Sequence, residues 1–124
     1  MRIHVELVPQ FYMGQEDALL VAMDEAGIDQ LVGALRQATQ SGGSPSVLRT
    51  GQQTHTFIRE QTGGTVELKS GDIVWHLSAS QIEEIMDKLE AMKSRSEPCH
   101  HYVDIISPAE MLVLSLDEYP DPLT

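Results

Sequence analysis

Cys99, His100 and His101 stand side by side near the carboxyl end of the chain, with Asp104 three residues further on. Thiolate and imidazole are the preferred ligands of zinc and copper, so this cluster is the first place to look for a metal. On a strand, neighbouring side chains point to opposite faces. Cys99 and His101 then share one side while His100 lies on the other with Tyr102, so at most two of the three can meet one ion. Further ligands would have to come from His4, His55 or His76, all distant in sequence. Other chemical signatures are missing. There is no GxxxxGK followed by Ser or Thr, no GxGxxG, CxxC, HExxH or GxSxG, so nucleotide cradles, zinc knuckles and nucleophile elbows have no support. The expectation is no catalytic residue and no cofactor, with Cys99, His100 and His101 as the weak metal candidates.

The elements that must carry these residues follow from periodicity. Ile3, Val5 and Leu7 alternate with polar residues, which predicts a strand over 2–8 stopped at Pro9. After a loop at 10–16, the run from Ala18 to Met23 suits a strand covered on both faces. Asp24 can accept from the free N–H groups of a first helical turn. Ile28, Leu31, Val32, Leu35 and Ala38 then recur at helical spacing, predicting a helix over 26–40 that Ser41-Gly42-Gly43 stops. Short alternating segments follow at 46–50, 54–60 and 65–69, the last two joined by Gln61-Thr62-Gly63-Gly64 as a hairpin signal. Ser70-Gly71-Asp72 turns the chain into Ile73 to Leu77, where Trp75 is expected in the core and His76 either on a solvated face or bonded in the core. Ser80-Gln81-Ile82-Glu83 reads as a capping box opening a second helix with Ile82, Ile85, Met86, Leu89 and Met92 on one stripe. Its acids Glu83, Glu84, Asp87 and Glu90, interrupted by Lys88 and Lys93, read as a solvated face. Strands at 99–106 and 110–117 flank Ser107-Pro108-Ala109, and the Pro-rich tail from Tyr119 cannot continue a ladder.

These elements describe an α+β chain with two amphipathic helices packed on one face of a largely antiparallel sheet, in a single domain over 1–124. Laying the segment from Leu20 over that from Val74, at an offset of 54, aligns strand, cap and helix. The five apolar helix positions match one for one. Two readings stay open: an internal duplication spanning about 17–69 and 72–117, or generic helical spacing in unrelated halves. Two-repeat domains of the sliding-clamp type are one arrangement with this order of elements.

Charge separates the two ends more sharply than sequence does. The 124 residues hold 8 Lys plus Arg against 19 Asp plus Glu, a net charge of −11. Residues 63–124 hold twelve of the acids, and from Glu97 onward six acids occur with no Lys or Arg. Such a surface repels phosphate backbones, which disfavours direct binding to nucleic acid and favours a basic protein partner. No apolar run approaches the roughly 18 residues of a membrane span, nothing at the amino end resembles a signal peptide, and the one cysteine suits a reducing compartment. A cytoplasmic location is the resulting expectation.

His100-His101-Tyr102-Val103-Asp104, then Ser107-Pro108-Ala109-Glu110, then Leu112 to Leu116 closing in Asp117-Glu118-Tyr119-Pro120, resembles the ending of small bacterial immunity proteins of polymorphic toxin systems. The resemblance covers about a quarter of the chain, and the amino-terminal half offers no matching residues. It implies a non-enzymatic inhibitor that binds and neutralises a basic cognate toxin. The residues expected at such a partner interface are His101, Tyr102, Asp104, Glu110, Asp117, Glu118 and Tyr119. Two other functions compete with it: a small metal-binding or hydrolytic protein built on Cys99, His100 and His101, and a clamp-like assembly domain whose sheet edges pair between copies.

Overall fold

Alternation places Ile3 and Val5 inward on β1 (Ile3–Gln10), which pairs antiparallel with β2 (Glu16–Met23). The computed structural model describes residues 1–11, 16–40, 44–95 and 97–119. Of the loop expected at 10–16, Gln10 and Glu16 belong instead to β1 and β2, while 12–15 lie outside the described residues, as do the Ser41-Gly42-Gly43 stop and the tail beyond Tyr119. β1 runs through Pro9 instead of ending before it, because this is an edge strand, where a residue without an N–H leaves no partner unsatisfied. Asp24 caps α1 (Glu25–Gln40), its Oδ1 accepting from Gly27 N at 2.7 Å and from Arg2 N at 2.9 Å. Burial pushes the Asp24 carboxyl up, but those N–H groups and the amino terminus hold it below the ordinary carboxylate range.

β3 (Ser46–Arg49), β4 (Thr54–Arg59), β5 (Thr65–Lys69) and β6 (Asp72–Leu77) follow. α2 (Ala79–Lys93) then leads to β7 (Cys99–Asp104) and β8 (Met111–Leu116). The strands divide between two four-stranded sheets, ordered β1-β2-β8-β7 and β3-β4-β6-β5. In each, the outer pairs are antiparallel and the central pair, β2 with β8 or β4 with β6, is parallel. The class is α+β, with α1, α2 and mostly antiparallel strands among the described residues. The apolar stripes of both helices and the inward residues of both sheets, Phe57, Trp75, Leu112 and Leu114 among them, form one buried cluster.

Two local expectations are corrected. The segment Gln61 to Gly64 does not join a hairpin, since β4 and β5 do not pair; β6 lies between them. Glu60 N donates to Leu77 O and Gly64 N to His76 O, so the chain passes over the end of β6. A Cβ at Gly63 would come within 2.5 Å of Leu77 backbone atoms, which is why a glycine pair marks a close crossing here and not a tight turn. The cap of α2 is Ser78, two residues ahead of the expected Ser80: its hydroxyl accepts from Gln81 N, and the Gln81 side chain reaches back to Ser78 N at 2.9 Å. Gln serves at the third helical position as well as Glu, so the box slides to where β6 ends.

The two halves share one topology. β1-β2-α1-β3-β4 corresponds in order and pairing to β5-β6-α2-β7-β8, and each sheet takes two strands from each half. The sheets are also joined along their edges. Gln53 Oε1 accepts from Val5 N at 3.0 Å and its Nε2 donates to Val5 O at 2.9 Å, so a side-chain amide stands where a strand backbone would pair with β1. At the related position β5 meets main chain: Val66 N donates to Ser107 O at 2.9 Å and Ile106 N to Gly64 O at 2.7 Å. Each such bond contributes about 1 kcal/mol and blocks an edge from foreign strands.

Within the core, His55 is 1% exposed and lies against both Phe57, parallel at 6.3 Å, and Trp75, tilted at 6.4 Å, which stack on each other at 5.6 Å. An indole N–H only donates, so His55 Nδ1 accepts from Trp75 Nε1 at 3.2 Å and the neutral ring carries its proton on Nε2, which has no partner. Burial first, with the charge of His4 second, drives its pKa down to about 4. The unfolded chain therefore binds a proton that the folded chain refuses between pH 6.5 and 4, and this ring removes up to about 3 kcal/mol of stability as pH falls through that window. Urea titrations of wild type and His55→Gln at pH 7 and pH 4.5 should show a shallower loss in the variant; equal losses would mean that the ring is solvated. Gly27 and Gly33 make an internal contrast on α1. A Cβ at Gly27 would lie 2.0 Å from Arg2 O, whereas one at Gly33 meets nothing within 4 Å. Gly33→Ala should gain about 0.5–1 kcal/mol from helix propensity. Gly27→Ala should lose about 1–3 kcal/mol to the clash, and a gain there in the urea midpoint would refute the close packing of β1 on α1.

Candidate functional site

The outward face of the first sheet brings most of the carboxyl-terminal candidates together. His4, Ala22, Ser115 and His100 lie in one cross-strand row, and Glu6, Leu20, Val113 and Tyr102 in the next. After β8 the chain reverses at Asp117, whose φ of 58° is left-handed and whose N–H donates to Met23 O. Glu118 and Tyr119 are thereby carried back over the same face. Glu118 Oε1 accepts from the buried Ser115 hydroxyl at 2.6 Å, and Glu118 Oε2 meets His100 Nδ1 at 3.0 Å. His100 Nε2 in turn lies 3.2 Å from the Tyr102 hydroxyl, the two rings edge to face. Tyr119 packs edge to face on Phe11 over Val8, Ala18, Leu20 and Val113. Glu118 and Tyr119 are thus half-buried supports, and Glu118 acts through His100 to fix the Tyr102 hydroxyl.

The exposed members lie along β7. Tyr102 is 42% exposed, Asp104 is exposed, and Ile106, which continues the same alternation beyond the strand, is 69% exposed. Glu110 is exposed across the turn that contains the cis peptide before Pro108, and borders the same hollow as Asp104 and Ile106. Ile106 was not among the residues picked out by sequence, although its i, i+2, i+4 spacing from Tyr102 and Asp104 was the available signal. Asp117 is exposed at the reversal, separated from this stripe by the cluster that Glu118 forms.

His101 and Cys99 face the other way, as alternation requires. Cys99 packs against the core with its thiol near Met92 O, and burial pushes its pKa up. Burial, followed by the positive charges of Lys88, Arg95 and His100, pulls His101 below its ordinary value. Cys99 and His101 do not converge with His100, and among the described residues no group of three or more His, Cys, Asp or Glu is placed to hold a metal ion. His101 is correspondingly turned away from the Tyr102 stripe.

The second sheet presents a different outer face, with Val47, Thr56, Val74 and Glu67 in one row and Ile58, His76 and Thr65 in the next. His76 sits there, held at both ring nitrogens: Nδ1 to Glu60 Oε2 at 2.6 Å and Nε2 to Glu67 Oε2 at 2.7 Å. The two carboxylates occupy opposite ends of the imidazole, an arrangement that fits an imidazolium and not a shared metal. The bonds to Glu67 and Glu60 raise the His76 pKa, and the same contact lowers that of Glu67. The acids Glu83, Glu84, Asp87 and Glu90 are exposed, with Glu84 on Lys88 and Glu90 on Arg36.

Comparison with protein-family models, with curated proteins and with solved structures returned no match. No helix among the described residues is long and apolar enough to cross a membrane. The arrangement of the imidazoles orders their titrations: His76 above the usual 6.5, His101 below it, and His55 lowest of the three. A raised His76 pKa stabilises the fold below pH 6.5, and that contribution is lost as pH rises through the folded value. Ring C–H resonances followed by NMR check the order, and His76 titrating at or below 6.5 would break the two-carboxylate clamp.

Proposed function

We propose that this chain is a non-enzymatic binding protein that docks a basic protein partner, and that it serves as an immunity protein neutralising a basic toxin in the cytoplasm. The observation that carries the reading is the stripe Tyr102, Asp104 and Ile106 with Glu110 beside it. An exposed aromatic and an exposed aliphatic alternate with carboxylates, the composition expected of an interface centre with an acidic rim. The Tyr102 hydroxyl is already held by His100, so little rotamer freedom remains to be lost on binding. From Glu97 on, no Lys or Arg belongs to the segment, and the field over the stripe favours a cationic surface.

The mode of docking is by side chains. Lys88 Nζ, on α2, donates to Tyr102 O at 2.6 Å and so occupies the outer edge of β7. The edge of β1 is taken by Gln53 and that of β5 by Ser107, while β3 has four residues and follows Pro45. Each is a device that deters strand addition, which weighs against the assembly reading.

The partner is found by passing lysate of the source over the immobilised chain at low salt and eluting with a salt gradient; a single basic protein in near-stoichiometric amount is expected. With that protein purified, Asp104→Lys combined with Glu110→Lys should slow association about tenfold or more, with an unchanged fold by circular dichroism and a weaker salt dependence. Association as fast as that of wild type would remove the stripe from the interface. Cells expressing the partner should survive only with the wild-type chain if the partner is a toxin.

A further inference from the structure

The hollow beside the start of β1 differs in charge from three others among the described residues. Those at Glu16, Asp17 and Glu110, at Asp104 and Glu110, and at Glu25, Glu97 and Asp117 are each bordered by at least two carboxylates. The first, of about 240 Å³, is bordered by Arg2, His4 and the turn from Thr50 to Gln53, with no Asp or Glu in its lining. That is an unusual place to find in a chain with a net charge of −11.

Arg2 is one of three basic residues, with Arg49 and Arg59, for which no carboxylate partner is found among the described residues, and of these Arg59 donates to Thr39 O. Arg36, Lys69, Lys88, Lys93 and Arg95 each pair with a carboxylate. The half-buried Arg2 forms no such pair among the described residues, and its Nε is buried without a hydrogen-bond partner. The nearby acids are already engaged. Asp24 Oδ1 accepts from the backbone of Arg2 and Gly27, its Oδ2 lies 3.8 Å from the amino terminus, and Glu6 Oε2 meets His4 Nε2 at 3.1 Å. The walls are held before any ligand arrives: Arg2 O accepts from Asp24 N, Thr50 N and Thr50 Oγ1 both donate to Gln53 O, and the Gln53 amide is bonded to Val5.

A guanidinium without a carboxylate partner, on a residue that borders a hollow without carboxylates, is the complement of an anion with two acceptor oxygens. We propose that this hollow binds a small oxyanion, the phosphate of a monoester or a carboxylate, through the Arg2 guanidinium with His4 beside it. The site shares no residue with the Tyr102 stripe, so it is independent of the partner reading and fails or stands separately from it.

The test is a titration of the full chain with inorganic phosphate and, separately, with acetate, at constant ionic strength set by sodium chloride. Amide resonances of Ile3, His4 and the 50–53 turn and the Arg2 Nε–Hε resonance are followed by NMR. Saturable movement of these signals with either anion is expected, with affinity reduced about tenfold or more in Arg2→Gln. Saturation by phosphate alone assigns a phosphate monoester, and by acetate alone a carboxylate. Movement that stays linear in concentration for both anions overturns the proposal, as does saturation of equal affinity in Arg2→Gln. Should that variant fail to fold, the response of the wild-type Arg2 Nε–Hε signal decides by itself: saturation supports the site, and no movement overturns it.

Discussion

The parallel pairing of β2 with β8 and of β4 with β6 is the contact on which the rest depends. β2 is buried along Ala18 to Met23, and no hairpin with β1 covers both of its faces or its second edge. β8, more than ninety positions later, supplies that edge and brings the return segment that covers the outer side. β4 likewise waits for β6. Each sheet is therefore completed only when both halves of the chain have met, and neither half has a finished sheet alone. The entropy of closing long loops is spent before these contacts form, which sets folding by non-local order.

The same constraint explains what could be read from the sequence. Local patterning is a property of single elements: the strands expected at 2–8 and 73–77 and both helices were legible, short of their exact ends, because their inward residues repeat at 2.0 or 3.6, and the strand at 18–23 because its apolar run is continuous. Partner choice is not local. Gln61 to Gly64 has the composition of a hairpin turn, yet β6 enters between β4 and β5 because a parallel neighbour for β4 must come from beyond the next turn. Ser70 and Gly71, with φ of 41° and 94°, do form the tight turn their types suggest, since β5 and β6 are adjacent in both sequence and space. The capping box slid from Ser80 to Ser78 for a related reason: the end of β6 decides where the helix starts, and Gln81 can close the box from there.

The candidate site divides along the same line. Tyr102, Asp104 and their separation from Cys99 and His101 followed from alternation alone. The role of Glu118 did not, because it depends on the left-handed turn at Asp117 that folds the chain back onto Ser115 and His100. Acidic residues that look equivalent in a charge count therefore do different things. Asp104 and Glu110 meet solvent, Glu118 orients a histidine, and Glu60 and Glu67 hold His76. Arg2 gave no signal at all in sequence, since the hollow it borders is made by a turn 48 or more residues away.

The outer faces of the two sheets, alike in topology, are finished differently. The first sheet has its outer apolar residues, Leu20 and Val113, sealed under Phe11 and Tyr119, with a polar network at the margin. The corresponding face of the second sheet has Val47 exposed and Thr56, Ile58 and Val74 only half-buried, and its ionic centre is internal to the sheet. The packing over the first sheet also bears on its adjacent edge strand, β7. Tyr102 stands at that junction: its ring leans on His100, its carbonyl is held by Lys88, and its neighbours along the strand, Asp104 and Ile106, point the same way. The return of the chain over the first sheet thus does more than cover apolar surface. It fixes the strand whose outward residues carry the negative field.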